Sequence, residues 1–334
     1  MTFIKYLFDG AVIGIANIIP GVSGGTMALV LGIYERIISA INNISLTTIK
    51  AVFGIFRFNK TGLESFKEEM KRIDALFLST IMIGALIAIV AFAKLMTYLL
   101  KSWHDPTYGL FFGLVLVSVI APYRLIRKKT FTVFLSAIIA MAAVFAVSTA
   151  VSGDAMLEKA KVKHELKIKK ESSDNNLDKK SDKNILFFLY LFFLGAVSIS
   201  AMILPGVSGS FLLLLMGGYF KILIAIVNRD LTVIAVFAAG CLFGLIAFSK
   251  LLNYLLKKWH DITMSFLVGL VMGSLWMIWP FKTSAVVGDE VIYLANRIPQ
   301  SFGKLELYTL LTAFTGAALV VLFLLIEIRR NKKA

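Results

Sequence analysis

Cysteine, histidine and charged residues are all scarce in this sequence. It contains one cysteine, Cys241, and three histidines among 334 residues. One cysteine cannot form an internal disulfide, and no cysteine–histidine cluster has the spacing of a metal site, so we expect no metal and no other cofactor. Charged residues make up 16% of the chain, below the roughly 25% of soluble domains. This scarcity excludes a water-soluble globule, because too few polar side chains are available to cover one.

Apolar residues dominate instead. Hydrophobic side chains make up 58% of the chain, and the mean hydropathy is +0.84. We therefore predict a multi-pass integral membrane protein whose surface is solvated mostly by the bilayer. The net charge of +15 would suggest a nucleic-acid partner in a soluble protein. No nucleic-acid motif accompanies it, and the basic residues cluster between apolar runs, where they set topology and meet anionic headgroups. Nucleic acid is not an expected partner.

The chain contains an internal repeat. Residues 10–36 align with 195–221 at 13 of 27 positions, and residues 94–105 align with 250–261 at nine of 12. We predict a tandem duplication with a first membrane repeat at 1–151 and a second at 185–334. The segment between them, 152–184, is rich in charged and polar residues, which predicts a solvated, largely disordered linker.

Apolar runs near the length of a transmembrane helix recur in both repeats. Their limits are 75–100, 107–123, 130–151, 231–256, 262–280 and 305–328. Small residues at G-x-x-x-G spacing, which lets helices pack closely in lipid, occur at Gly109/Gly113, Gly240/Gly244 and Gly269/Gly273. The segment 37–56 carries Asn42, Asn43 and Lys50, which makes it doubtful as a span.

Two apolar segments, 8–34 and 193–220, have the sequence Pro-Gly-Val-Ser-Gly near their middle. Proline breaks a helix, and irregular backbone inside a membrane is tolerated only where protein or a wet cavity covers it. Each segment is therefore predicted to form two half-helices, as a re-entrant hairpin or as a broken span.

The distribution of basic residues favours the re-entrant alternative. If the first segment returns to its starting side, the clusters at 57–72 and 124–129 and the basic C-terminal tail all lie on the cytoplasmic side. The second repeat then begins on the outer side and runs upside-down. We predict an all-α membrane protein of two inverted-topology repeats, each with a re-entrant or broken helix at PGVSG and about three transmembrane helices.

A helix that restarts after Pro-Gly offers unpaired amides and a serine N-cap, a combination that favours a phosphate or carboxylate. The alternative is that the motif is only a packing kink. If two such motifs meet at the repeat interface, as in secondary transporters, they can share one anion. The candidate phosphate-binding residues are Pro20, Gly21, Ser23, Gly24, Gly25, Thr26, Pro205, Gly206, Ser208, Gly209 and Ser210.

The stretch IANIIPGVSGGTMALVLGIYERII, the second PGVSG and the two WHD boxes resemble the PopT family of polyprenyl-phosphate translocases. The resemblance covers nearly the whole chain except the linker. It implies transport of undecaprenyl phosphate across the bacterial or archaeal cytoplasmic membrane, returning this carrier lipid to the cytoplasmic leaflet for reuse in cell-wall polymer synthesis. The second copy departs from the first at Ser210, which replaces Gly25, and at Phe220, which replaces Glu35.

Further polar residues lie outside the motifs. The aligned Arg36 and Lys221 are candidates to hold the head group at the entrances, with Lys94 and Lys250 as snorkelling side chains that could also do so. Asp9, Asn17 and Glu35 occur only in the first copy and are candidates for coupling to protons or sodium. His104/Asp105 and His260/Asp261 could form proton relays, but their position after Lys-x-Trp favours interface anchoring.

Two other functions remain open from the residues alone. A transporter or channel for a small anion would use the same helix ends. A membrane undecaprenyl-pyrophosphate phosphatase also pairs inverted repeats with a Pro-Gly-x-Ser motif. Gly24 and Gly209 follow the serines where such enzymes have arginine, so we expect no enzyme and no catalytic residue. The oligomeric state is not indicated.

Overall fold

The computed structural model describes residues 2–18, 23–54, 60–150, 184–207, 209–287, 290–301 and 303–331. Almost all of the predicted linker lies outside these ranges. The helices of the first repeat are α1 (Thr2–Ile18), α2 (Gly24–Val30), α3 (Tyr34–Asn42), α4 (Leu46–Gly54), α5 (Lys60–Arg72), α6 (Ala75–Ser102), α7 (His104–Ser118), α8 (Ile120–Leu125) and α9 (Phe131–Ala150). The elements of the second are α10 (Ile185–Ile203), α11 (Gly209–Leu215), α12 (Tyr219–Val227), α13 (Leu231–Lys258), α14 (His260–Ser274), β1 (Lys282–Val287), β2 (Glu290–Asn296) and α15 (Lys304–Asn331).

Six helical segments of the described part are long and apolar enough to cross a membrane. They are Ala75–Ser102, His104–Leu125, Phe131–Thr149, Ile185–Ile203, Leu231–Lys258 and Lys304–Leu325. Five correspond to predicted spans, which confirms the all-α membrane fold. The prediction of a span at 262–280 is wrong in extent, because α14 ends at Ser274 and tight turns follow. The segment 37–56 forms the short helices α3 and α4 and is not among the six.

The two repeats contain the same order of helices. In the first repeat, α1, α2 and α3 are followed later by α6 and α7. In the second, α10, α11 and α12 are followed by α13 and α14 in the same order. A second break, which the sequence analysis did not predict, follows each motif. It lies at Gly32 and at its counterpart Gly217, both with a φ of 68°, a conformation that glycine adopts without steric cost. The axes of α2 and α3 are bent by 116° there.

The first broken segment returns to the end from which it starts. α1 and α6 run in the same direction, since Gly10 lies against Ile81 and Gly14 against Ala85. At the start of this pair, the guanidinium of Arg36 in α3 donates to Tyr6 in α1 and to Asp74 before α6, the latter at 2.7 Å. These contacts place α3, which follows the first motif, beside the start of α1, as the re-entrant alternative requires.

The second broken segment has the same arrangement. The hydroxyl of Tyr190 in α10 donates to the carbonyl of Met216. The ammonium of Lys221 in α12 lies 4.6 Å from the centroid of the Tyr190 ring, a favourable cation–π distance. The end of this segment is thus also held beside its start.

The remaining long helices exchange partners between the repeats. α7 packs on α15, with Gly109 against Thr309 and Gly113 against Ala313, and α9 packs on α14, with Gly269 against Ala137. A Cβ at these glycines would overlap the facing backbone carbonyl, so the small residue permits the contact. The G-x-x-x-G pairs therefore serve in packing as predicted, and each repeat completes the helix pairing of the other.

A short antiparallel hairpin, β1–β2, follows α14 and was not predicted. Its sequence, with β-branched residues on both sides of Val-Gly-Asp, is typical of a hairpin, but the apolar context favoured helix. The ring of Tyr293 in β2 stacks on His104 with 3.3 Å between centroids. The hairpin therefore covers the start of α7.

Candidate functional site

The two PGVSG motifs meet at the first turn of α2. The hydroxyl of Thr26 accepts a hydrogen bond from the amide of Gly206 at 3.1 Å, and both residues are buried. Ser23 Oγ lies 3.5 Å from the carbonyl of Leu204. The hydroxyl of Tyr34 donates to the carbonyl of Ile203 at 3.1 Å. The structure thus brings together motif residues that are 180 positions apart in sequence.

Two glycines are required for this close contact. A Cβ at Gly25 would lie 2.8 Å from the carbonyl oxygen of Ile203. Gly206 has a φ of +78°, and a Cβ there would lie 2.6 Å from the carbonyl oxygen of Leu270. A side chain at Gly25 would push α2 away from the second motif, and one at Gly206 would push the second motif away from α14. Glycine at these two positions therefore permits close contacts of backbone with backbone.

The first amides of α2 are already hydrogen-bonded in this conformation. Gly24 N donates to the side-chain oxygen of Asn17 at 3.0 Å, and Gly25 N donates to Ser23 Oγ at 3.2 Å. The expectation that these amides stand uncovered is therefore wrong for this conformation. An anion at this helix end would have to displace Asn17 or Ser23, and Asn17, predicted as an ion-coupling residue, acts here as a cap.

The second motif is described only in part. The helix α10 ends at Ile203, Pro205 and Gly206 form a turn, and α11 begins at Gly209. The hydroxyl of Ser198 donates to the carbonyl of Gly209 at 3.1 Å. The predicted site residues that lie outside the described part are Pro20, Gly21, Ser208 and the side chain of Ser210.

The predicted entrance residues separate into two groups. Arg36 and Lys221 lie at corresponding places, each over an aromatic ring where a broken segment ends. Lys94 and Lys250 lie on exposed faces of α6 and α13. None of the four contacts the motif junction through a hydrogen bond or ion pair that the described residues show.

Asp9 is the predicted coupling residue with the most unusual surroundings. Its side chain is 2% exposed, and Oδ2 has no hydrogen-bond partner among the described residues. Glu35, in contrast, is exposed and lies 3.3 Å from Nε2 of His260. Of the three candidates, Asp9 is therefore the one whose carboxyl group is buried and has an oxygen without a hydrogen-bond partner among the described residues.

The two His-Asp pairs have different surroundings. His104 is 6% exposed, lies between the rings of Tyr108 and Tyr293, and bonds Asp105 at 2.7 Å. Its burial beneath the hairpin is not what interface anchoring requires, whereas the preceding Trp103 is 45% exposed and suits that role.

At the other pair, Asp261 accepts hydrogen bonds from the amides of Arg127 and Lys128 at 3.0 and 2.9 Å. It thereby fixes the basic loop after α8 to the start of α14.

Three polar residues of this region were missed by sequence reasoning. They are Tyr34, Ser198 and Arg297, the last with its guanidinium 3.9 Å from Asp105. Tyr34 carried a usable signal, since it is identical to Tyr219 in the repeat alignment. Ser198 and Arg297 have no counterpart of the same type in the first copy, so the repeat could not single them out.

Comparison with known proteins finds one family model and two relatives that match most of the chain. A family model described as undecaprenyl phosphate translocase-like matches residues 13–291. A polyprenyl-phosphate transporter of Vibrio cholerae is 34% identical over 287 residues, covering 84% of this chain and 79% of its own. A polyprenyl-phosphate transporter of Staphylococcus aureus is 30% identical over 292 residues, covering 84% and 88%. No solved structure matches.

Proposed function

The chain belongs to the undecaprenyl phosphate translocase-like family, and on that premise we propose that it moves undecaprenyl phosphate across the cytoplasmic membrane of a bacterium or archaeon. In this proposal the lipid returns to the cytoplasmic leaflet, where it is reused in cell-wall polymer synthesis. The protein acts as a transporter and performs no bond chemistry. The observation that carries the proposal is the direct contact between the first turn of α2, which follows the first PGVSG motif, and Gly206 of the second motif.

The substrate imposes a specific physical demand on the protein. Its isoprenoid chain can remain in the bilayer, while an unshielded phosphate in hydrocarbon costs many kcal/mol, so the head must meet donors throughout its path. The junction supplies the hydroxyls of Ser23 and Thr26 and the amide of Gly206 in a buried place. The Gly206 amide donates to the Thr26 hydroxyl, and the Ser23 hydroxyl faces the Leu204 carbonyl.

The proposed cycle exchanges these bonds for bonds to phosphate. When the motifs separate, the hydrogen bond between the Thr26 hydroxyl and the Gly206 amide breaks, and both groups can donate to a phosphate oxygen. When they close again, the cross-motif bond of 3.1 Å re-forms, and the head group is released. Alternating separation toward each side would carry the head across with no charge left in hydrocarbon.

We also propose that the two repeats are inverted in the membrane. Contacts at the two ends of α7 support this. Its start, His104, lies under the hairpin that follows α14, whereas the loop after α8 bonds Asp261 at the start of α14. The matching helices α7 and α14 thus begin at opposite ends, as inversion requires.

Asp9 is the proposed site of ion coupling. An ionised carboxylate buried without partners is costly, so the cycle is expected to bind a proton or sodium ion there and to release it. Burial and the unpartnered Oδ2 support this choice over the exposed Glu35.

The test is a flip assay in proteoliposomes with a fluorescent prenyl phosphate and an impermeant quencher. The wild type should accelerate loss of the inner-leaflet pool, and a prenyl alcohol should give no acceleration of this kind. Thr26→Val, which keeps the shape and removes the hydroxyl, should slow flipping roughly tenfold, since loss of one buried hydrogen-bond partner costs about 1–3 kcal/mol.

The matched control for this assay is Thr26→Ser, which keeps the hydroxyl and should remain near the wild-type rate. Thermal unfolding of each variant shows whether the fold is retained. A wild-type rate in folded Thr26→Val would show that the Thr26 hydroxyl at the junction does not contribute to transport. A wild type no faster than empty liposomes would contradict the function itself.

A further inference from the structure

A cavity lies away from the motifs, between the helices that the repeats exchange. It has a volume of about 740 Å³ and is lined by residues of α7, α9, α14 and the end of the hairpin. Its volume is within the roughly 300–1,000 Å³ of small-molecule sites. Its main walls are Phe112, Met141, Phe145, Met272, Trp276 and Trp279. The cavity is therefore almost entirely apolar and aromatic.

The cavity opens toward the surface between α9, which is a candidate span, and the turns that follow α14. Phe145 on α9 and Trp276 in the turns after α14 are each 45% exposed, and their rings contact edge to face at 5.1 Å. Met272 beside them is 43% exposed. A lateral opening between membrane helices admits a lipid chain from the bilayer. A channel for a small anion would need only a closed aqueous pore, without such an opening.

One cation borders this apolar space. Arg297 lines the cavity directly after β2, and its side chain is 39% exposed. The carbonyl of Arg297 accepts from the indole of Trp279 at 3.0 Å, and its Nε donates to the carbonyl of Lys282 at 3.3 Å. The nearest carboxylate is Asp105 at 3.9 Å, too far for a hydrogen bond, so guanidinium donors remain for another anion.

A second positive group contacts a residue of the lining. The ammonium of Lys282 donates to the side-chain oxygen of Asn296 at 2.7 Å, and Asn296 also lines the cavity. Burial lowers the pKa of Lys282 to about 8, which still leaves it mostly charged at neutral pH. An apolar cavity with a cationic rim is complementary to a lipid that has one anionic head and a long hydrocarbon chain.

We infer that this cavity is a holding site for polyprenyl phosphate, with part of the isoprenoid chain between α9 and α14 and the phosphate on Arg297. The inference rests on the proposed function for the identity of the lipid. The site lies at the hairpin end of the bundle, where a lipid can be held before its head enters the motif junction. Arg297 pairs with phosphate through two parallel N–H donors, which lysine cannot reproduce.

The cavity provides its own fluorescent reporter. The chain has four tryptophans, and two of them, Trp276 and Trp279, line the site. In a Trp103→Phe/Trp259→Phe background, a polyprenyl phosphate with a nitroxide on its chain should quench the remaining fluorescence saturably. Unlabelled polyprenyl phosphate should reverse the quenching, whereas polyprenyl alcohol and phosphatidylglycerol should not.

Two independent variants test the two halves of the site. Arg297→Gln should weaken the affinity for the phosphate roughly tenfold, in line with loss of one charge-assisted contact, with Arg297→Lys intermediate. Ala142→Phe, on the cavity wall, should reduce saturable quenching by filling the space. Ala143→Phe is its matched control, because the neighbouring exposed Ala143 is not part of the lining.

The outcomes separate this inference from the proposed function. The inference would be contradicted by equal quenching with a labelled phosphatidylglycerol, or by unchanged affinity in both Arg297→Gln and Ala142→Phe. Either result would show that the cavity makes only nonspecific contacts with lipid, even if the wild type flips polyprenyl phosphate normally. Saturable, phosphate-dependent quenching in a wild type that fails to flip would uphold the site and overturn the function.

Discussion

Thr26 shows how one side chain can tie the two repeats together. Its hydroxyl bonds the Gly206 amide across 180 residues of sequence. The repeat partner of Thr26 is Phe211, which has no hydroxyl. The junction therefore cannot be symmetric at this position, and in the proposed cycle the two half-sites would bind the head group by different hydrogen bonds.

Asp9 leads to a prediction about coupling. Asp9→Asn removes the ionisable group and keeps the side-chain size, so flipping should lose its response to an imposed pH or sodium gradient while its basal rate remains. The rate is measured in proteoliposomes with and without each gradient. Glu35→Gln, an exposed carboxyl in the same repeat, should leave the gradient response intact.

A gradient response that persists undiminished in Asp9→Asn would assign the coupling to another group. Equal loss in Glu35→Gln would likewise remove the basis for choosing Asp9.

The motif residues could be predicted from the sequence to a useful extent. The repeat alignment picked out Ser23 and Gly206, because their counterparts Ser208 and Gly21 are identical at the break, whereas Gly25 aligns with Ser210. It could not give the partner of each group. That Asn17 caps Gly24 depends on a contact seven residues along the chain, which helical periodicity does not encode once proline has broken the helix.

Among the elements, α5 is held by a cluster around Glu69. Thr48 and Thr47 donate to its Oε1 at 2.5 and 3.1 Å, and Arg72 donates to its Oε2 at 2.9 Å. These donors, the Arg72 guanidinium foremost, lower the pKa of Glu69 from 4.5 to about 2. The cluster links α5 to the start of α4, the part of the chain that the second repeat lacks.

This linkage predicts how the attachment of α5 depends on pH. A lowered pKa means that the stabilisation is complete above pH 4.5 and is lost as pH falls toward about 2. Hydrogen exchange in α5, corrected for intrinsic rates, should therefore show constant protection from pH 7 to about 4.5 and a decline below it.

Glu69→Gln should lower the protection of α5 at neutral pH and make it nearly independent of pH. Glu64→Gln on the same helix, at an exposed position, is the control and should follow the wild type. A decline of the same shape in Glu69→Gln would show that another group is titrating.

Elements with a strong hydrophobic signal were predicted well, and those that depend on a single residue were not. The long spans follow from length and hydropathy, as for α6 and α13. The bend at Gly32 depends on one left-handed residue inside an apolar run. The hairpin at 282–296 follows an apolar helix closely. The helical and β-strand patterns of apolar residues therefore run into each other, and the alternation typical of a strand is hard to recognise.

The orientation of the whole molecule can be tested with single cysteines. In a Cys241→Ala background, Val286→Cys on the hairpin, where the native side chain is 72% exposed, should react with an impermeant maleimide in intact cells. Lys128→Cys, in the loop bonded to Asp261, should react only after permeabilisation, because the inverted arrangement puts the two on opposite sides.

Ala143→Cys, on the exposed face of α9 within a candidate span, is the control and should remain unlabelled in both conditions. Labelling of Val286→Cys and Lys128→Cys from the same side would contradict inverted repeats.

Exchange of helix partners is the property of the whole molecule that the sequence did not reveal. Glycine spacing shows that α7 and α14 pack closely against some helix, but not which one. The choice of α15 for α7, and of α9 for α14, emerges only when both repeats are present. A duplicated chain leaves this ambiguity open, because each helix has a near-copy that could serve as a partner.

This exchange also constrains how the protein is made. α7 leaves the ribosome long before its partner α15 has been translated, so the nascent first half reaches the membrane with its glycine-rich faces uncovered. Lipid or the insertion machinery must occupy those faces in the meantime. A ribosome that stops early therefore releases no smaller working unit, only an incomplete bundle that cellular quality control can recognise by its unpaired helices.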